Sequence, residues 1–274
     1  MNGRRWARWA GYVAFAVAFA IACGFLANWQ FARSAERNAQ LDLVASNYDA
    51  TPVALEEVIP LGSEFAAADT WRPVRLTGEY LTDQQTLVRN RPHGGTSAFE
   101  VLVPLRTEDG RIVVVDRGWV PPGREQPEPD AVPAPPTGIV SVEVRLRPSE
   151  PLPRSGRSAP PGQVPTLNVP TVAAAIGEEN VVAGAYGLMV SEDPSPAERP
   201  NALEEPSDDP GPHLSYAIQW ILFAIMGFAF IWYTIRSERR HRREEAEGRP
   251  SRPARPRHDR DMAEEDALID AAQR

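Results

Sequence analysis

Residues 9–32 read WAGYVAFAVAFAIACGFLANWQFA, and this run decides the class of the protein. It extends over about 24 positions without a charged residue, and about 20 helical residues suffice to cross the hydrocarbon core of a bilayer. A helix also satisfies its own backbone hydrogen bonds inside lipid. The run therefore predicts a transmembrane helix.

A second charge-free run, residues 214–235, lies towards the other end of the chain and predicts a second transmembrane helix. Arginines flank each run on the side away from the middle of the chain. They are Arg4, Arg5 and Arg8 before the first run and Arg236, Arg239, Arg240, Arg242 and Arg243 after the second. Positive flanks stay in the cytoplasm, so we expect a multi-pass cell-membrane protein with both termini cytoplasmic.

The first run also has a second interpretation. Ala20-Ile21-Ala22-Cys23 after a basic start resembles a lipoprotein signal that is cleaved before Cys23. Such sites usually carry a larger aliphatic residue where Ala20 stands, and the apolar pattern continues to Phe31. These two features favour an uncleaved helix, and the sequence leaves the alternative open.

The middle of the chain has the patterns of strands and turns. Five β-branched or alternating runs lie between residues 71 and 148, and Glu108-Asp109-Gly110 between two of them predicts a hairpin. Asn168 predicts the start of a short helix ending at Gly177, and Thr51 predicts the cap of another. Residues 181–192 predict a last strand.

We therefore expect an α+β membrane protein in which two transmembrane helices flank a mainly antiparallel β domain with short helices. The predicted segments are a cytoplasmic N-terminus (1–8), a transmembrane helix (9–32), an extracytoplasmic mainly-β domain (33–212), a transmembrane helix (214–235) and a charged cytoplasmic tail (236–274). The first helix is expected to continue outward beyond Arg33. The composition of the tail predicts disorder, with a short helix within MAEEDALIDAAQR.

The composition argues against several classes of function. A net charge of -8 disfavours nucleic-acid binding, which requires a basic face. Cys23 is the only cysteine, so the chain lacks the thiolate pairs that a copper-delivery protein would use. The sequence also lacks the nucleophile, zinc-protease and phosphate-loop motifs of common enzymes. We therefore expect a non-enzymatic protein.

His213 stands at the start of the second apolar run, in HLSYAIQW. On a helix, Tyr216, Ala217 and Trp220 share its face. An imidazole nitrogen can ligate haem iron, while the aromatic rings pack on the macrocycle and the alanine leaves room. The same residues are also typical of an aromatic belt with an unliganded interfacial histidine. The pattern by itself leaves both interpretations open.

Four segments along the chain contain arginine, glutamine or histidine, and three of them also contain aromatic residues. Their distinctive residues are Trp29, Gln30 and Arg33 in LANWQFAR, Arg91 in LVRNRP, Arg117, Gly118 and Trp119 in RGWVP, and His213, Tyr216 and Trp220 in HLSYAIQW. In this order, and with two apolar runs around them, they resemble the Surfeit locus protein 1 family of assembly factors for haem-copper cytochrome oxidases. One departure is Ala27, where the family has glycine.

The resemblance implies a bacterial-type assembly factor that aids delivery or insertion of haem a into the catalytic subunit of cytochrome c oxidase at the outer side of the membrane. His213 is then the implied ligand of the haem iron, and Tyr216 and Trp220 are implied to line the transient haem a site. At the membrane face, Arg91 or Arg117 would be able to pair with haem propionates.

The implied partners are cytochrome c oxidase subunits, the wider respiratory supercomplex and membrane lipid, without nucleic acid. An alternative is a cofactor-free scaffold or a stably associated accessory subunit of the respiratory oxidase complex.

Overall fold

The computed structural model describes residues 3–247. In chain order, the elements are α1 (Gly3–Asn47), β1 (Val53–Ala54), α2 (Leu55–Val58), β2 (Pro73–Tyr80), β3 (Thr86–His93), β4 (Thr96–Thr107), β5 (Ile112–Val120), β6 (Ile139–Pro148), β7 (Gln163–Val164), α3 (Val169–Ile176), β8 (Ala185–Asp193) and α4 (His213–Ala246). The short helix predicted within the C-terminal tail lies outside the described residues.

Two helices are long and apolar enough to cross a membrane. The candidate spans are Trp6–Asn47 on α1 and His213–Glu244 on α4. Helix α1 continues past Arg33 to Asn47, which confirms that the first helix extends beyond the apolar run. The chain divides into two compact units, one with the residues up to Arg33 and from Pro212 onward, and the other comprising Ser34–Gly211.

The second unit is built on a closed five-stranded barrel. Strands β6, β2, β4 and β5 are neighbours in that order, which is a Greek key. Strand β8 fills the remaining gap, pairing antiparallel with β6 and parallel with β5. A Greek key closed in this way is of the kind found in OB-folds.

The α+β class is confirmed, and the sheet is mixed. Strand pairs β1–β2, β3–β7 and β5–β8 are parallel, while the other pairings of the described strands are antiparallel. The sequence patterns did not reveal these parallel pairs, because alternation reports which side chains are buried and carries no information about strand direction.

Strands β4 and β5 are buried on both faces, and this arrangement positions the polar groups described below. Within residues 99–105 and 113–115, the odd-numbered side chains, such as Val103 and Val115, point into the barrel core. Between them, the even-numbered Leu102 and Val114 pack in a second cluster with β7 and α3. Polar residues within these strands are therefore forced into one of two apolar layers.

The local predictions have mixed outcomes. Helix α3 begins after Asn168, whose side chain accepts a hydrogen bond from the Thr171 N–H, and ends at Gly177 in a left-handed conformation. The hairpin at Glu108-Asp109-Gly110 also forms. The prediction that Thr51 caps a helix is wrong. The chain first makes the strand β1 beside β2, so α2 begins only at Leu55 with Ala54 as its cap.

Candidate functional site

The first candidate site lies where α4 begins beside α1. The His213 Nδ1 atom is 3.0 Å from Gln30 Oε1, and the imidazole is half-buried. Pro212 precedes His213, and its carbonyl accepts the first helical hydrogen bond, from Tyr216 N–H. The histidine therefore stands in the first turn of α4, fixed by a residue that is distant in sequence.

This contact is the last of a series between two antiparallel helices. At the opposite end, Arg8 Nη2 lies 3.4 Å from Glu238 Oε1. Midway, a Cβ atom added to Gly227 would lie 3.3 Å from Phe19 Cδ1. Small residues are buried along this seam, which comprises Ala16, Cys23 and Ala27 on α1 and Ala217 on α4. Small side chains at these positions let two helices approach closely.

The other predicted residues of this region differ in exposure. Trp220 is half-buried and makes an edge-to-face contact with Phe223, with ring centroids 5.8 Å apart. Tyr216 and Trp29 are 47% and 56% exposed, as expected for side chains that face lipid or a bound group. Arg33 lies one turn beyond Gln30 on α1. Thus Gln30, His213 and Trp220 lie on the helix seam, whereas Tyr216 and Trp29 project from it.

A buried polar cluster at one end of the barrel consists of Arg117, Glu192 and Tyr80, and we call it the plug. The side chains of Arg117 and Glu192 are fully buried, and Arg117 Nη2 donates to Glu192 Oε1 at 2.7 Å. Tyr80 donates to the other carboxylate oxygen at 3.2 Å, and burial together with Glu192 raises the Tyr80 pKa far above its usual value. A guanidinium enclosed in this way is not a surface ligand for haem propionates.

Gly118 and Trp119 fasten the segment that follows β8. Trp119 and Asn201 exchange both backbone hydrogen bonds, at 2.9 and 2.8 Å, and Trp119 Nε1 donates to the Ala202 carbonyl at 3.1 Å. Gly118 has φ of 124°, and a Cβ atom there would lie 2.3 Å from the Asn201 carbonyl oxygen. Glycine is therefore required for this close approach. We call residues 200–202 the strap.

Arg91 belongs to a different, partly buried cluster on the outer face of β4 and β5. Arg91 Nε lies 2.7 Å from Glu100 Oε2, and Arg91 Nη2 donates to Glu150 Oε1 at 2.8 Å. His93 Nε2 donates to Glu100 Oε1 at 2.9 Å, and its ring stacks on Trp119. A register shift between Val88 and Arg91, with Asn90 at φ 59°, directs Arg91 towards these carboxylates.

Two carboxyl groups of this cluster have opposite pKa shifts. Burial, reinforced by the charge of Glu100, raises the pKa of Asp116 well above its usual range, although the Gly118 N–H donates to it at 3.0 Å. At Glu150, burial alone would raise the pKa, but hydrogen bonds from Thr166 and Arg91 outweigh it and lower the pKa. Within residues 3–247, no group of three or more His, Cys, Asp or Glu side chains is arranged to hold a metal ion.

Comparison with known proteins identifies the family of this chain. The model of the SURF1 family matches residues 17–225. This chain belongs to the SURF1 family. It is also 36% identical, over 244 residues, to an uncharacterized SURF1-like protein of Mycobacterium bovis and to two of Mycobacterium tuberculosis, covering 85% of this chain and 86% of each relative. The predicted resemblance is confirmed, and the SURF1 family is known broadly for cytochrome oxidase assembly factors.

In this SURF1-family chain, the motif residues fall into two groups with different surroundings. Gln30 and His213 meet on the helix pair, whereas Arg117, Gly118 and Trp119 hold the barrel end and the strap together. Sequence reasoning missed the partners Glu100, Asp116, Glu150 and Glu192. The carboxylate within VVVDRGW was a detectable signal, since an acidic residue among valines is a buried polar group that needs a partner.

Proposed function

We propose that this chain is a non-enzymatic assembly factor for haem-copper cytochrome c oxidase, which holds haem a transiently near His213 at the outer side of the membrane. Membership of the SURF1 family supports the assembly role. Two membrane-length apolar helices support a membrane location. The contact between His213 and Gln30 carries the haem part of the proposal, because it orients an imidazole at the end of the helix pair.

The proposed topology has both termini in the cytoplasm and the barrel outside. Arginines before the first apolar run and after the second support this orientation. His213 begins α4, so it would lie at the outer interface, within reach of a cofactor that partitions into lipid. Membrane lipid is then a partner of both helices.

The residues around His213 fit the ligand requirements of haem. With Nδ1 engaged by Gln30, the imidazole presents Nε2 as its remaining nitrogen. Trp220 is half-buried and lies about two turns after His213 on the same face of α4. The exposed rings of Tyr216 and Trp29 offer aromatic surface. His213 would hold haem a when it is bound, because haem iron accepts an imidazole nitrogen as a ligand. The role of the chain would be to orient that nitrogen and limit access of water.

Purified protein, co-produced with the enzymes of haem a synthesis, tests this proposal. We expect a Soret band that is lost in His213→Ala. The control is His241→Ala, which changes an exposed histidine near the C-terminal end of α4 and should retain the band. Membranes from cells lacking the gene are expected to lose the haem a band in reduced-minus-oxidised spectra. A colourless wild-type protein would refute the haem role and leave the family membership intact.

A cofactor-free scaffold or stably bound accessory subunit of the oxidase complex is the second candidate. A groove of about 730 Å³ on the barrel favours it. The groove is lined by Ile59, Phe65 and Arg111 together with Leu61, whose side chain is 70% exposed. In that case, Leu61→Asp would reduce co-purification with oxidase subunits, whereas His213→Ala would leave the haem content of the oxidase unchanged.

A further inference from the structure

The contact between Gln30 and His213 has a chemical consequence beyond holding two helices together. A neutral imidazole carries one N–H and one lone pair, and a neighbouring group selects which nitrogen holds the proton. Gln30 Oε1 lies 3.0 Å from Nδ1, and a carbonyl-type oxygen can only accept a hydrogen bond. In a neutral ring, a hydrogen bond from Nδ1 to this oxygen places the proton on Nδ1 and leaves the lone pair on Nε2.

The partner of the His213 ring is an uncharged group. His213 is the first residue of α4. No acidic residue lies in the first turn of α4. The side chain that faces Nδ1 is the uncharged amide of Gln30.

The seam between the helices makes the contact rigid. Ala27 lies about one turn before Gln30 and is 4% exposed, and Ala217 lies one turn after His213 and is fully buried. Neither alanine has a side chain that can change rotamer. The positions of the two polar side chains are thus set by the same helix packing that extends to Phe19 and Gly227.

We propose that Gln30 is a positioning residue, which fixes His213 in the Nδ1–H tautomer and leaves Nε2 available to bind the haem iron. The inference rests on the proposed haem role of His213, but the tautomer itself is a property of the protein without haem. A partner on the outer nitrogen of a ligating histidine is a common means of orienting the ring.

Nitrogen NMR of histidine-labelled full-length protein in detergent micelles measures the tautomer directly, with His213→Ala assigning the signals. We expect the Nδ1–H form in the wild type and its loss in Gln30→Ala. Gln30→Glu should keep it, because a carboxylate accepts the same N–H. Gln219→Ala is the matched control, since Gln219 is an exposed glutamine on α4. A wild type in the Nε2–H form would overturn the inference.

Titration with haemin separates the two proposals. Relative to the wild type, Gln30→Ala is expected to weaken binding by about 10–100-fold, as is usual when a group that orients a ligand is removed, and Gln30→Glu should bind like the wild type. An unchanged haemin affinity in Gln30→Ala would overturn the positioning role. If wild type and His213→Ala bind haemin equally, the haem function fails, while the NMR result still decides the tautomer.

Discussion

At the residue scale, Gly118 is the position of the Arg-Gly-Trp motif where only glycine fits. Its positive φ and its closeness to the Asn201 carbonyl both exclude a Cβ atom. The neighbouring backbone pairs of Trp119 with Asn201 depend on that closeness. At the residue scale, the motif is therefore explained by packing of the strap against the end of β5.

Substitution of Gly118 should be more damaging than substitution of a glycine with the same kind of backbone in open space. We expect Gly118→Ala to lower the free energy of unfolding by more than the ~1–3 kcal/mol of backbone strain alone, because the strap must also move. Gly95→Ala is the control, since Gly95 has φ of 77° and no atom near its added Cβ. Urea unfolding compares them, and equal losses would contradict the role of the strap.

Asp116 should make the stability of the barrel depend on pH. Its folded pKa is raised by burial and by Glu100, whereas its unfolded value is about 3.9. The native state therefore retains a proton that the unfolded state releases, so the contribution of Asp116 to stability falls as pH rises above about 4 towards the raised folded pKa.

Asp116→Asn removes this titration and keeps an oxygen that can accept from the Gly118 N–H. The free energy of unfolding is measured for both proteins from about pH 4 to about pH 8. As the pH rises, it should decline more steeply for the wild type than for Asp116→Asn. Parallel curves for the two proteins would show that Asp116 is ionised in the folded state.

At the element scale, Arg117 and Glu192 join β5 to β8, the strand that closes the barrel. Arg117→Leu leaves the Glu192 carboxylate buried without its partner, which typically costs about 3–5 kcal/mol of stability. Arg106→Ala is the control, because Arg106 pairs with Glu178 at the surface and such pairs contribute about 0–1 kcal/mol. Chemical unfolding should separate the two variants. A small effect of Arg117→Leu would mean that water reaches the plug.

The seam between α1 and α4 should open when a small residue within it is enlarged. Cys23 is 1% exposed, so its rate of reaction with a maleimide reports on the seam. We expect Ala217→Leu to accelerate labelling of Cys23 in detergent, because Ala217 has no exposed surface. Ala229→Leu, the same change at an exposed position of α4, should leave the rate unchanged. Equal rates in both variants would exclude this packing.

At the scale of the whole molecule, the proposed topology places the barrel outside and the end of α4 inside. Cysteines introduced one at a time at two exposed positions, Glu125→Cys in the proline-rich loop and Glu247→Cys after α4, in a chain in which Cys23 is replaced by serine, distinguish the two sides. In intact cells, an impermeant maleimide should label only Glu125→Cys, and permeabilisation should expose Glu247→Cys as well. Labelling of Glu247→Cys alone would invert the topology and remove His213 from the outer leaflet.

The helices and strands of the fold were predictable from the sequence. The way in which distant strands pair was not. The apolar runs, the capped helix α3 and the strands between residues 73 and 148 appear where the patterns predict them. Local propensity and burial determine these features, and both are written in neighbouring residues. The closure of β4 onto β2 and the parallel pair β5–β8 join residues far apart in the chain, so no local pattern records them.

The same division applies to the candidate sites. The sequence by itself determined the two membrane-length helices and the family motifs, and it indicated His213 as a candidate ligand, because hydropathy and residue type are properties of single positions. Only the tertiary structure decided that Gln30 faces His213 and that Arg117 is enclosed with Glu192. An imidazole or a guanidinium acquires its role from the group that packs against it, and packing is settled only when distant segments meet.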